Sequence, residues 1–288
     1  MTIHDRLHRD FPTAKRQTLK RMVQNRRVTI NGIPARRLDQ TIKADDRVGV
    51  DVTAKKISPR PRLPFAIVYE DQDILVIDKP AGLLTSTVPR EPRPTAIAAV
   101  REYLRITDPP ARAGLIHRLD RDASGLLVFS KNNPAFDSLK KQFFHHSVSR
   151  FYHAIVSPPP KKPSGRIESF LVERADGSVH SARGPGRGQR AVTTFDVAKR
   201  RGRFALLRIK LHTGRKHQIR VHLAESGSPV VGDTQYGGKA YKNRIMLAAV
   251  ELALDHPRTG ERMVFSIPPN ADRVLAEFIA IGAESESI

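Results

Sequence analysis

Residues 117–129 read His-Arg-Leu-Asp-Arg-Asp-Ala-Ser-Gly-Leu-Leu-Val-Phe. A charged turn runs straight into a short apolar run, and such a run bounded by a turn predicts a buried strand over 124–129. Asp120 stands at the head of this strand, between Arg118 and Arg121. A carboxylate flanked by two guanidinium groups is held ionised, ready for chemistry beside a polyanion. Ser124-Gly125 allows a tight change of direction into the strand, so Asp120 is expected at a sheet edge or in a cleft.

Working outward, strands are expected over 67–69, 74–77, 151–156, 192–197, 204–211, 246–254 and 263–267. Helices are expected over 94–104, from Asn133-Pro134 onward, over 215–225 and over 270–281. Asn can cap a helix and Pro fits its first turn, which makes 133–134 a good start signal. Pro158 to Gly165 and Gly184 to Gly188 read as loops. Strands outnumber helices without alternating with them. That order predicts an α+β fold with a mixed, mainly antiparallel sheet flanked by helices and loops.

The chain carries 50 Lys and Arg against 29 Asp and Glu, a formal net charge of +21. Such an excess points to a polyanionic partner rather than to a surface that is merely kept wet. Cysteine is absent, which excludes disulfides, thiolate nucleophiles and cysteine-ligated metal centres. No apolar run approaches a membrane span, and the first residues lack a secretory core, so a cytoplasmic protein is expected. The histidines at 117, 212, 217, 222 and 256 show no matching cluster of acids in sequence, and no metal site is expected.

A small basic α/β module is expected over 1–56, a Pro-rich linker over 57–64 and a main domain over 65–288. Leu19, Met22 and Val23 recur at helical spacing, with Arg16, Lys20, Arg21, Arg26 and Arg27 around them. Val28-Thr-Ile30 reads as a strand, Asn31-Gly32 as a hairpin turn, and Val48, Val50 and Val52 as an alternating strand. A basic helix followed by a hairpin can grip phosphates by charge and shape. From Asp5 to about Val52 the segment resembles the S4 RNA-binding module. The resemblance implies that Arg16, Lys20, Arg21, Arg26 and Arg27 lie near an RNA backbone.

Two further segments could carry chemistry. In Ser149-Arg-Phe-Tyr-His-Ala154, strand alternation sends Phe151 and Tyr152 to opposite faces, so that one is core and the other free to stack on a base. In His212-Thr-Gly-Arg-Lys-His-Gln-Ile-Arg220, a basic run begins a helix anchored by Ile219 and Leu223. Arg220 suits a bidentate pair with a carboxylate, and pairing with Asp120 would hold that carboxylate ionised. A phosphate-binding helix start is the other reading of the run. Gly237-Gly238 reads as an ordinary turn.

Over roughly 65–268 the chain resembles an RluA-type pseudouridine synthase. The resemblance rests on the 117–129 stretch, Arg150-Phe-Tyr-His-Ala154, Thr213-Gly-Arg-Lys-His-Gln-Ile-Arg-Val-His-Leu223, Gly232-Asp-Thr-Gln-Tyr-Gly237 and His256-Pro257. It implies isomerisation of uridine in RNA to its carbon-linked isomer, without metal or organic cofactor. It implies Asp120 as the catalytic aspartate, Tyr152 as stacking tyrosine and later general base, and Arg220 as the partner of Asp120. Arg118 would fill the gap left by the extruded base, and His117, Arg215, His217 and Gln218 would join it in binding substrate. Ala248 and Leu83-Leu-Thr-Ser-Thr87 depart from the family by lacking histidines often found there. Structured RNA is the expected partner, ribosomal RNA favoured over transfer RNA, and a monomer is expected. The rival readings are a non-catalytic RNA-binding assembly factor and a basic phosphodiesterase, which would need a metal cluster or paired histidines.

Overall fold

A computed structural model of the chain describes residues 1–24, 27–43, 45–51, 63–87, 93–182 and 187–285. It divides into two compact units, Met1–Arg60 and Pro61–Ile288. The expected linker over 57–64 lies outside the described residues as far as Arg62, as do Val52 and the loop over 184–186.

In the first unit, α1 (Ile3–Asp10) and α2 (Arg16–Gln24) precede β1 (Val28–Ile30), β2 (Ile33–Pro34) and β3 (Val48–Val50). Helix α1 begins with a capping box between Thr2 and Asp5. Ile3 and Leu7 of α1 join Leu19, Met22 and Val23 of α2 and Val28 in one small core. Strand β1 pairs antiparallel with β2 on one side and β3 on the other. Asn31 and Gly32 turn the β1–β2 hairpin with φ of +51° and +83°, the left-handed pair that such a two-residue turn demands. The Asn31 amide also donates to Asp46 at 2.8 Å and accepts from the Arg47 N–H at 2.9 Å. The hairpin turn is thereby tied to the segment leading into β3.

The second unit contains β4 (Ala66–Glu70), β5 (Ile74–Lys79), α3 (Ala96–Thr107), β6 (Gly114–Leu115), β7 (Ser124–Ser130), α4 (Asn133–Phe144) and β8 (Ser149–Val156). Then follow β9 (Ser164–Glu173), β10 (Val179–Ser181), β11 (Gln189–Arg201), β12 (Phe204–Leu211), α5 (Gln218–Glu225), β13 (Leu247–Asp255), β14 (Arg262–Ser266) and α6 (Arg273–Ser285). Among the described residues the strands form one eleven-stranded sheet, in the order β10-β9-β11-β12-β8-β13-β7-β5-β4, with β14 beside β13 and β6 beside β7. Every pairing is antiparallel except β13 with β7. The α+β expectation, with a mixed and mainly antiparallel sheet, matches this architecture.

All seven residues of β7 are buried, as the apolar run after Asp120 requires. Gly125 corrects one expectation. It lies inside β7 with φ of +111°, and a Cβ there would stand 2.1 Å from the Ala249 carbonyl oxygen. Its role is to let β7 and β13 approach each other rather than to turn the chain. Helix α4 starts one residue earlier than its Asn-Pro signal suggested: Asn132 is the cap and accepts from the Ala135 N–H at 2.9 Å. Strand β9 was not anticipated. Its first residues, Ser164 and Gly165, fall in the stretch read as a loop, and its side chains are mostly half-exposed.

Candidate active site

Asp120 sits in the loop between β6 and β7, and the backbone on each side of it is clamped by the segment that follows β5. Thr85, buried, donates its hydroxyl to the Leu119 carbonyl at 2.7 Å and accepts from the Leu119 N–H at 3.2 Å. Lys79, fully buried, donates to the carbonyls of Pro80, Leu83 and Arg121 at 2.9, 2.8 and 3.1 Å. The Gly82 N–H reaches the same Arg121 carbonyl at 2.8 Å. Burial pushes the Lys79 ammonium down to about 8, against the pull of the Asp120, Asp122 and Asp78 carboxylates. No pattern in the sequence marks Thr85 and Lys79, whose roles arise from packing. The Asp120 side chain remains 18% exposed and lines a cleft of about 580 Å³.

Arg220 reaches Asp120, but the expected bidentate pair goes elsewhere. Its Nε and Nη2 bind Asp233 at 2.6 and 2.9 Å, and Nη2 also donates to Gln235 at 2.9 Å. Nη1 faces Asp120 Oδ2 at 3.6 Å. The planar guanidinium therefore spends one edge on a buried anchor and presents the remaining nitrogen to the cleft. Asp233 is 1% exposed, so this anchor is protected from water. Its turn needs backbone contact on both sides. A Cβ on Gly238 would stand 2.0 Å from the Val230 carbonyl, and one on Gly232 1.8 Å from the Arg244 carbonyl. Gly237-Gly238 is thus no ordinary turn, because Gly238 packs directly against the backbone of the Asp233 loop. The Tyr236 ring lies 4.9 Å below the Arg220 guanidinium, and its hydroxyl meets His217 Nδ1 at 2.8 Å.

Tyr152 is buried on β8 and lines the same cleft. It belongs to the core and to the cleft at once, while Phe151 on the opposite face lies under Arg208, 4.4 Å away. Burial raises the Tyr152 phenol above its ordinary value; Arg150 pulls it down and Asp120 pushes it up. Arg150, two residues earlier on the same strand, packs over the Phe143 ring at 5.4 Å, and its buried Nε has no partner within the protein. The absence of a side chain at Gly214 makes room for its guanidinium, since a Cβ there would lie 2.5 Å from Nη1. His117 stacks on Phe143 with ring centroids 4.7 Å apart, and its Nε2 accepts from the Val128 N–H at 3.2 Å. Burial, with the Arg150 charge, pushes His117 down to about 3, so it is a neutral ring fixed in place.

The remaining expected substrate-binding residues divide. Arg118 and Arg215 are exposed at the cleft, and His217 lines it. Gln218 is corrected. Its Oε1 accepts from Thr213 and from the Arg215 N–H at 2.8 and 3.0 Å, and its Nε2 donates to Val192 and Thr193 at 3.0 and 2.9 Å. Its amide is fully engaged inside the protein and braces the loop before α5, leaving no capacity for substrate. In the first unit, Arg16 and Lys20 are exposed on α2, whereas Arg27 donates Nε to the Asp51 carbonyl at 2.8 Å. The Arg21 side chain and Arg26 lie outside the described residues.

The structure also gathers acids around one histidine, which the sequence reading did not foresee. Asp71, Asp73 and His256 bring ligand-type atoms within 4.8 Å of one another. His256 Nδ1 accepts from the N–H groups of Arg258 and Thr259, so Nε2 carries the proton and donates it to Asp71 at 2.8 Å. Asp73 is held by the Arg258 fork at 2.7 and 2.9 Å. These atoms are committed to one another, and none of the three residues lines the Asp120 cleft.

The profile of the RNA pseudouridylate synthase family matches residues 73–225. An uncharacterized RNA pseudouridine synthase of Aquifex aeolicus is 34% identical over 282 residues, covering 91% of this chain and 88% of its own length. The ribosomal large subunit pseudouridine synthase D of Pasteurella multocida is 34% identical, covering 92% of this chain and 86% of its own. Among solved structures, human RNA pseudouridylate synthase domain containing 4 has a similar fold, with a TM-score of 0.63 at 22% identity over 75% of this chain and 92% of that one.

Proposed function

We propose a residue-level mechanism and an RNA target for a chain that belongs to the RNA pseudouridylate synthase family and is an RNA uridine isomerase. The observation that carries the mechanism is a carboxylate, Asp120, locked through its neighbours' backbone, facing a guanidinium at 3.6 Å and opening onto a cleft that also holds Tyr152.

The reaction breaks the N1–C1′ bond, turns the uracil ring, joins C5 to C1′, moves the C5 proton to a base and returns a proton to N1. Atoms and charge balance without a redox partner. The target uridine leaves its stack, and Arg118 fills the gap. Asp120 acts on the ribose by one of two routes: attack on C1′ to form a sugar ester, or removal of the C2′ proton to give a glycal. Arg220 faces Asp120 at 3.6 Å for either route, with Asp233 holding Arg220. Both routes return the charge to Asp120 as C5 joins C1′, before C5 loses its proton. That charge is one of the causes that raise the Tyr152 phenol, and Arg150 is the neighbour that lowers it.

The target is ribosomal RNA. This is supported by relatives bearing the name ribosomal large subunit pseudouridine synthase D that match over most of both chains. The first unit is an S4-like RNA-binding module that docks structured RNA through α2, with Arg16 and Lys20 on its exposed face. The enzyme works in the cytoplasm.

The test is a map of pseudouridine in ribosomal and transfer RNA from cells carrying wild-type protein, the Asp120→Asn variant or none. The expected outcome is one or more ribosomal positions modified only with the wild type. Sites lost from transfer RNA alone would redirect the target, and sites retained with Asp120→Asn would remove Asp120 from the chemistry.

A further inference from the structure

Phe144 ends α4 and is 78% exposed. A single exposed apolar side chain is ordinary on a protein surface. Position makes this one different. Among the described residues, the other exposed large apolar side chains are Met1, Ile33, Val68, Val264 and Ile279, and Phe144 alone of the set lines the Asp120 cleft. The preceding ring, Phe143, is turned inward between His117 and Arg150, which fixes the end of α4 to the loop bearing Asp120. Two consecutive aromatic residues are thus split, one bolted to the site and one exposed among the residues that line it.

The surroundings say what would cover the outer ring. Arg118, Lys140, Arg150, Arg215, Lys216 and Arg220 line the cleft, and Asp120 is the one carboxylate among its lining residues. Such a rim attracts a polyanion, and a polyanion that also offers flat apolar faces is a nucleic acid. A uridine rotated out of its stack leaves the next base with an uncovered face.

We propose that Phe144 is a stacking platform for an unpaired base flanking the target uridine, which makes the C-terminal end of α4 a substrate-selecting subsite. This rests on the reading that uridine enters the Asp120 cleft. Stacking is tolerant of base identity, so the subsite selects for an unpaired neighbour rather than for a particular letter.

The chain has no tryptophan, so Phe144→Trp carries its sole indole. This variant is titrated with a short oligouridylate, with an abasic ribose-phosphate chain of the same length and with polyglutamate, binding being followed separately by anisotropy of a dye-labelled strand. The expected result is quenching of the indole by oligouridylate and not by the other two. Phe144→Ala should weaken oligouridylate binding about tenfold and leave abasic binding unchanged, while Phe144→Trp keeps wild-type affinity. Oligouridylate binding without quenching, equal quenching by polyglutamate, or equal losses for both strands in Phe144→Ala would overturn the proposal. Quenching intact in a protein that forms no pseudouridine would support the subsite while sinking the assigned reaction, so the two failures are distinct.

Discussion

Two clusters of carboxylates and cations sit on the same sheet, and they differ in what they leave unspent. Around His256, Asp71 and Asp73 are tied up by His256, Arg258, Asn132 and Tyr69. Around Arg220, Asp233 is equally tied up, but it serves to aim one remaining nitrogen at Asp120. The first cluster joins the turn between β4 and β5 to the segment after β13, 185 residues apart, and its product is stability. The second uses the same bonds to hold a carboxylate that has an open side. On the proposed mechanism, what separates the two is unspent valence in a rigid frame, since acids and bases are dense in both places.

The sharpest way to break this contrast is to neutralise one carboxylate in each cluster. Asp120→Asn should lower turnover by roughly 10⁴-fold or more while RNA affinity and thermal stability stay near wild type. Asp73→Asn should do the reverse, costing about 1–2 kcal/mol of stability with kcat unchanged, its Arg258 partner being largely exposed. Denaturant melts and single-turnover rates on both variants decide it, and matched losses in both would erase the distinction.

Next in size is the anchor. Asp233→Asn keeps the shape but removes the charge that aligns Arg220, and should lower kcat about 10²-fold with a small change in KM. Arg220→Lys should lose a similar factor, because an ammonium cannot bind Asp233 by a fork and still face Asp120. A smaller loss, roughly tenfold in kcat, is expected for Thr85→Val, which leaves both backbone groups of Leu119 unpaired beside Asp120.

These predictions also mark where the sequence could be read. Strand β7, fully buried, and β12 stand where apolar patterning put them, because local burial writes a local signal. Strand β9 escaped because Arg166, Glu168 and Ser169 interrupt its apolar positions and much of it faces water. Asp120, Tyr152 and Arg220 were legible as candidates, and all three line one cleft. Asp233, Thr85 and Lys79 were not, since each acts through a partner far along the chain or through backbone groups that no side-chain pattern reveals. Arg220 shows the limit well: its fork announced a carboxylate partner, yet nothing local chose between Asp120 and Asp233. The departures at Ala248 and 83–87 gain meaning only in three dimensions. Ala248 does not line the Asp120 cleft, and the second segment supplies Thr85.

A separate expected effect is a pH dependence of stability in the second unit. His117 and His222 are held neutral by burial, their values pushed from 6.5 down to about 3 and about 4. Below about 6.5 the unfolded chain binds protons that the folded one refuses, so stability is full above that pH and falls as pH drops toward 4 and then 3. Each histidine contributes a slope of up to ~1.4 kcal/mol per pH unit. His222→Gln, whose amide can still meet Thr193 or Ser169, should flatten urea midpoints measured between neutral and mildly acidic pH; an unchanged slope would remove His222 from the account.

The central claim is one of distance. In a crystal of the Asp120→Asn variant bound to RNA bearing its unmodified target uridine, the side chain at 120 should lie within roughly 3.5 Å of ribose C1′ or of the hydrogen on C2′, with Arg220 still forked on Asp233. A target uridine seated in the cleft with its sugar well beyond that reach would contradict the account.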